Sequence, residues 1–478
     1  MSQFAILFIF LAVFTSACIA IAFDALRDRK MESESQMEKI SKESPKSVQL
    51  QRNGFREHGK KDCLILCHFF FPDHVTSAVL LFDLAKYLTS SGFSIGALSG
   101  YPKEYADGKR VPKSETTKGV EIRRIRFFQT NRSSRIGRLV NYFTLIAGMF
   151  CHLPYLKRYR CAIVTSDPPI LPILPILAKR FFGTKVIFLS YDVYPEIAYS
   201  SGHLKPKSLI CGVMNWINRQ VSRNADAVIA LTDEMRNFLL RNRPGLSENR
   251  VVTIANWAHE GVSLPDSEAY ERFGYQEGQF IVSYFGNMGV VQEMETMIRA
   301  AGLLKDDQRI RFLIAGHGSK KNAVKERIER ENLTNVQLTE FLTGEDFQKA
   351  VAISSCYVVS LEPGACGLCA PSKYYSYLQG GRPVLAVMER DSYLSKEVRE
   401  RNIGFHAEIG DARKLRDAIV FLLERPEERE AMGRRARELY LSQYAPEIAF
   451  KRYRQVLESL LGKDGSSEES EAHESPIH

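Results

Sequence analysis

The sequence predicts an α/β fold: two facing Rossmann-like, doubly wound domains preceded by an N-terminal transmembrane helix. Its 478 residues exceed one typical core and suit two domains of about 200 residues each. Strand-like and helix-like segments alternate through both halves, and the strands are apolar throughout, the pattern of parallel strands covered on both faces. Residues 4–23 form an uncharged, almost wholly apolar run, and about 20 such residues cross a bilayer core.

That run reads as a membrane anchor at residues 1–25, because no Lys or Arg precedes it as in a cleavable signal. The triplet Ser16-Ala17-Cys18 hints at a lipoprotein site, but Thr15 suits it poorly and the apolar run continues past the cysteine. Arg27, Arg29 and Lys30 follow directly, so the positive-inside rule places the rest of the chain on the cytoplasmic side. Residues 26–60, rich in Glu, Lys and Ser without periodicity, are expected to be a flexible tether.

Residues 61–260 make the first predicted domain. Strands are expected at 63–67, 93–98, 120–127, 162–165, 186–190, 227–231 and 251–254, with helices at 78–90, 138–156, 170–180 and 209–223. Thr232 should cap the helix that begins Asp233-Glu234. Ligands of parallel sheets sit beyond the C-terminal ends of strands, which singles out the loops at 68–77, 166–169 and 191–196. The helix at 138–156 is apolar nearly all round with basic flanks, so it is either a buried core helix or one docked on lipid.

Residues 261–445 make the second. A polar linker at 261–275 precedes strand 280–285, the loop Gly286-Asn287-Met288-Gly289 and a helix at 290–304. Strand 310–315 runs into Gly316-His317-Gly318-Ser319, and a short strand at Val336, helix 344–353 and strand 357–360 follow. Then comes APSKYYSYLQGGRPVLAV at 370–387, where a Pro-Ser pair opens a tyrosine-rich helix, Gly-Gly-Arg-Pro ends it and a strand at 384–387 follows. A helix start offers unpaired N–H groups and a positive dipole end, and Lys373 adds a full charge there, so the segment is a candidate diphosphate cradle. The helix at 446–461 is expected to close over the first domain, and the acidic tail at 463–478 to be disordered.

The net charge of +9 is unevenly placed. Lys103, Lys109, Arg110, Lys113, Lys118, Arg123, Arg124, Arg126, Arg132, Arg135, Arg138, Lys157, Arg158 and Arg160 stand against four carboxylates in the same stretch. Such a patch suits an anionic surface; no nucleic-acid reading motif accompanies it, so a membrane surface is the expected partner. Nine cysteines with only one CxxC, at Cys366 and Cys369, indicate neither a disulfide framework nor a structural metal. GxGxxG after a first strand, GxxxxGK[ST] and HExxH are all absent, which disfavours a dinucleotide site, a P-loop and a zinc protease.

Eight segments in order resemble the GT-B fold glycosyltransferases of family 4 (group 1), in particular the bacterial capsule and O-antigen subgroup with N-acetylfucosamine-type transferases. They are FFFPDHVTSAVLLFDLAKYL, DPPILPILPILAKR, SYDVYPE, ADAVIALTDEM, IANWA, SYFGNMGVVQEMETMIRAA, FLIAGHGSKK and APSKYYSYLQGGRPVLAV, covering about residues 61–460. The resemblance implies that Gly286, Asn287 and Gly289 lie beneath the donor diphosphate, that Ser372 and Lys373 contact it, and that Glu295 follows on the next helix. It puts Gly316 and Gly318 near the nucleotide base, Asp192 and Glu196 on the acceptor side as catalytic candidates with Lys373, and Asn256 at the cleft hinge. Alternatively, Glu295 is a solvated helix residue and Asp192 caps the turn at Pro195.

The chain departs from the family pattern. The glutamate pair eight positions apart reads Leu368 and Ser376, with Glu362 too far upstream to substitute. Asn287 and Gln292 lie near the positions of the usual Arg and Lys, and Thr76-Ser77 replaces an N-terminal Gly-Gly. Lys373 is then the one strong cation assigned to the leaving group.

The function expected is transfer of a sugar from a nucleoside-diphosphate donor, UDP-linked, to a lipid-linked or glycan acceptor in cell-surface polysaccharide synthesis. The resemblance implies retention of anomeric configuration, no metal and no cofactor. The alternatives are a sugar-nucleotide 2-epimerase of the same fold and a catalytically inactive membrane scaffold.

Overall fold

The protein is described from a computed structural model, which defines residues 59–102, 111–130, 135–200, 202, 204–258 and 267–462. The expected anchor at 4–23, the tether up to residue 58 and the acidic tail lie outside these. Among the described residues no helix is long and apolar enough to cross a membrane.

The first series of strands is β1 (Lys61–Leu66), β2 (Ile95–Gly100), β3 (Ser114–Thr117), β4 (Val120–Ile125), β5 (Tyr159–Thr165), β6 (Lys185–Ser190), β7 (Ala227–Ala230) and β8 (Val251–Thr253). Their order is β3-β4-β2-β1-β5-β6-β7-β8. Only β3, which no periodicity signalled, runs antiparallel, paired with β4. The second series is β9 (Phe280–Phe285), β10 (Ile310–Ala315), β11 (Val336–Thr339), β12 (Cys356–Ser360), β13 (Val384–Val387) and β14 (Gly404–Ala407), in the all-parallel order β11-β10-β9-β12-β13-β14. The central strands are buried end to end, β9 and β12 at every residue, which is why they read as continuous apolar runs.

By packing, the described residues within 190–222 and 228–453 form one compact unit, and those within 1–189, 223–227 and 454–478 another. In the latter, Arg160 Nη2 donates to the carbonyl of Leu461, the last residue of the helix Pro446–Leu461, at 2.7 Å.

Several expectations need correction. The second half of the polar linker is a helix, Ser267–Phe273, whose Ala269 and Phe273, four residues apart, enter the core beneath the second sheet with Tyr275. The helix expected from 290 begins at Glu295, because the buried Glu293 carboxylate accepts the Thr296 N–H at 2.9 Å and fixes the start there. The long helix at 138–156 is Arg135–Cys151 followed by a 3-10 turn at Leu153–Arg158. Leu145, Ala147 and Met149 are buried, and Asn141 holds Thr130 and Thr144 holds Phe128 through hydrogen bonds. The basic stretch is not wholly a surface either. Arg124 is fully buried, donating to the carbonyls of Pro112 and Phe71 at 2.8 Å and pairing with Glu115, while Arg123 and Arg158 lie over the Tyr155 ring.

Candidate functional site

In the second sheet the strand order reverses between β9 and β12, so their C-terminal loops diverge and open a crevice where ligands of such sheets bind. The loop after β9 is Gly286 to Gly289, and the segment after β12 leads to the helix Lys373–Gly380. The loop after β10, Gly316 to Gly318, packs directly on the first. A Cβ on Gly316 would lie 1.9 Å from the Gly286 carbonyl oxygen, and one on Gly318, whose φ is +134°, 2.5 Å from that of Met288. Only glycine fits at either position.

The loop amides are largely committed. Gly286 N–H donates to Ala315 (2.8 Å), Met288 N–H to His317 (2.6 Å) and Gly289 N–H to Gln292 Oε1 (3.0 Å). Three of the loop's N–H groups are thus paired within the protein. What faces the loop is Lys373, whose Nζ sits 3.5 Å above the centre of the Tyr284 ring and 3.4 Å from the Asn287 carbonyl. Burial holds the pKa of this ammonium well below the usual lysine range, so an approaching anion would offset the cost of carrying the charge there.

Tyrosines position Lys373. Tyr374, Tyr375, Tyr377 and Leu378 are buried. The Tyr377 hydroxyl accepts the N–H of Phe285 at 2.8 Å, tying the helix to the end of β9, and its ring stacks on Tyr357 at 4.4 Å. Tyr374 donates to the buried Glu397 at 2.6 Å, and Tyr393 and Tyr444 donate to the same carboxylate at 3.0 and 2.7 Å. Gly381, at φ +64°, ends the helix as the Gly-Gly turn predicted, and Arg437 Nη1 satisfies the Gln379 carbonyl at 2.6 Å. Ser372 precedes the helix with a backbone that is already helical, and its side chain caps nothing.

The other predicted residues divide. Asn256 is buried, and its backbone N–H donates to the Tyr375 hydroxyl, so it belongs with the Lys373 helix. Asp192 bridges to Cys369, with Val193 N–H donating to Leu368 at 2.8 Å, which brings the 191–196 loop against the CxxC segment. Glu196 is not left open: Arg243 holds its carboxylate bidentate at 2.7 and 2.6 Å and also donates to the Tyr194 carbonyl. Glu295 is more than half exposed and pairs with Arg327.

The sequence reading misses Glu234 and Lys320 and sets Glu362 aside. Glu362 pairs with Lys320, whose Nζ also donates to the Gln292 carbonyl at 2.7 Å, so a second lysine lies against the segment that follows the Gly286–Gly289 loop. Glu234, in the first turn after the Thr232 cap, lines a recess with Cys366, Gly367, Ala370 and Tyr393, and burial pushes its carboxyl pKa up. Cap chemistry located its helix, but nothing local showed the recess. His317, between Lys321 and Lys373 and edge-on to Phe341 at 4.9 Å, has its pKa lowered by burial and then by the two lysines.

The first sheet has its own switch point, between β1 and β5. There His68 is buried with both ring nitrogens lacking a hydrogen-bond partner, its Nδ1 3.8 Å from Asp167 Oδ2. Both residues fall in loops the strand-end rule singled out. Among the described residues no group of three His, Cys, Asp or Glu could hold a metal ion, and their cysteines are free thiols.

Two family models match most of the chain end to end: a glycosyl transferase 4-like domain over residues 77–257 and the glycosyl transferases group 1 over residues 267–439. The chain is a group 1 glycosyltransferase. This glycosyltransferase is 24% identical over 302 residues to the probable glycosyltransferase WbjE of Pseudomonas aeruginosa, covering 62% of the chain and 74% of WbjE. It is 22% identical over 320 residues to the putative colanic acid biosynthesis glycosyl transferase WcaI of Escherichia coli K12, covering 63% and 77%. Its fold matches that of Anabaena Alr3699/HepE in complex with UDP-glucose with a TM-score of 0.63, at 14% identity, over 84% of this chain and all of the other. The α/β architecture with two parallel sheets is thus the GT-B type that the sequence motifs indicated.

Proposed function

We propose that this glycosyltransferase moves a sugar from a UDP-linked donor to a membrane-associated, lipid-linked glycan in cell-surface polysaccharide synthesis, with retention and without a metal ion. The observation that carries the donor half is Lys373, held between the Tyr284 ring and the Asn287 carbonyl at the switch point of the second sheet. An ammonium there would stabilise the charge that develops on the departing diphosphate. HepE was crystallised with UDP-glucose, and WcaI is named for colanic acid biosynthesis, which supports both the donor class and the polysaccharide setting. The apolar run at 4–23, followed by Arg27, Arg29 and Lys30, supports an anchored chain with its catalytic part on the cytoplasmic side.

Thermal unfolding with UDP, GDP, dTDP, ADP and CMP added separately tests the donor half. A ligand at a hundred times its Kd adds about 2.7 kcal/mol of stability. UDP is expected to stabilise the wild type, and Lys373→Ala less. Loss of this principal donor should lower turnover about a hundredfold. No stabilisation by any nucleotide, or unchanged turnover in Lys373→Ala, overturns the proposal.

A further inference from the structure

The helix Leu209–Asn224 is apolar on two faces. Cys211, Ile217 and Val221 point inward and are buried. Leu209, Val213 and Trp216, at i, i+4 and i+7, stand in water at 60%, 42% and 47% exposure, with Ile210 at 39%. These four make up close to half of the exposed large apolar side chains among the described residues, so they form a patch and not a scatter.

The charge around them is one-sided. No Asp or Glu occurs anywhere in residues 197–225, whereas Lys205, Lys207, Arg219 and Arg223 do, all of them exposed. Lys205 and Lys207 lie just before the helix, and Arg219 and Arg223 fall along the edge of the Leu209–Val213–Trp216 stripe. Among the described residues Lys205, Lys207 and Arg219 make no ion pair, so their charge is available to a partner.

We propose that this helix lies in the headgroup region of an anionic bilayer, with Leu209, Val213 and Trp216 inserted and Lys205, Lys207 and Arg219 on lipid phosphates. The inference deepens the membrane-facing part of the proposed function and rests on that reading for the presence of a bilayer beside the chain. An apolar stripe bordered by Lys and Arg, with an indole at its centre, is the composition of interfacial helices. A second copy of the chain fits worse, because a symmetric contact on this face would set the same lysines and arginines against each other. Nucleic acid would leave the apolar stripe without a counterpart.

Trp216 reports on itself, since the only other tryptophan, Trp257, is buried at 5% exposure. The full-length chain is reconstituted into vesicles of phosphatidylcholine alone or with phosphatidylglycerol. Quenching by aqueous iodide and by brominated lipid is compared between wild type and Trp216→Phe, the difference isolating Trp216. On anionic vesicles Trp216 is expected to lose iodide quenching and gain bromolipid quenching. Leu209→Ser with Val213→Ser should abolish this change, and each of Lys205, Lys207 and Arg219 replaced by Gln should lower the docked fraction about fivefold. Both substituted apolar residues are exposed, so the fold should survive. Trp216 remaining open to iodide on anionic vesicles overturns the inference, as does protection without lipid that grows with protein concentration, which would assign the face to a second copy. Nucleotide stabilisation measured on the same preparation reports separately on the transferase reading.

Discussion

Lys373 joins two properties that usually oppose each other, a cationic role and a setting that disfavours the charge. With its pKa depressed in the free protein, it binds fewer protons than in the unfolded chain, so between the depressed value and the ordinary lysine range stability rises with pH. A bound diphosphate reverses this by raising the pKa. Nucleotide binding at mildly alkaline pH is therefore expected to take up protons. Calorimetry in two buffers of different ionisation enthalpy checks it, and equal observed heats would remove the titration of Lys373 from the binding step. Glu196 yields a second expectation. Clamped by Arg243, it should act as a brace for the 191–196 loop. Glu196→Gln and Arg243→Gln are each expected to cost about 1–3 kcal/mol, with the double variant no worse than either and nucleotide affinity unchanged. Additive losses would mean that the two side chains act apart.

At the scale of elements, the helix Lys373–Gly380 is placed by its tyrosines. Phenylalanine at 377 keeps the stacking on Tyr357 but strips the Phe285 N–H of its acceptor at the end of β9. Tyr377→Phe should lower stability by about 1–3 kcal/mol in urea titration and weaken UDP binding, because the end of β9 carries the loop beneath Lys373. Unchanged UDP affinity would show that the loop holds its position without this tie. The sequence marked the helix, its Gly-Gly end and the strand that follows, all local signals. It could not mark Glu397, twenty-three residues downstream, as the shared acceptor of Tyr374, Tyr393 and Tyr444, since nothing in its neighbours distinguishes it from a surface glutamate.

For the whole molecule, the two switch points divide the chemistry. The one in the second sheet has Lys373, Lys320 and the glycine loops; the one in the first has His68 and Asp167. On the proposed role of side-chain cations at the leaving group, transfer is expected to persist in excess EDTA, and on the proposed retention the product is expected to keep the anomeric configuration of the donor, read by NMR. Abolition by EDTA with rescue by added Mg²⁺ would refute metal independence.

Periodicity and turn chemistry are local, and they determined most of what the sequence determined. The parallel α/β architecture, the edges of β9, β10 and β13, the Thr232 cap and the glycine loops all follow from neighbours along the chain. So did the choice of strand-end loops, which contained His68, Asp167 and Asp192, and the helix start that contained Lys373. Tertiary structure decided which side chains were free to act. It buried Arg124 in a stretch that read as surface, closed Glu196 with an arginine forty-seven residues away, and brought Lys320 to Glu362. It also left Leu209, Val213 and Trp216 in water on a helix whose apolar content reads, in one dimension, as core. Burial and ion pairing depend on distances between residues far apart in sequence, and only the folded chain fixes those distances.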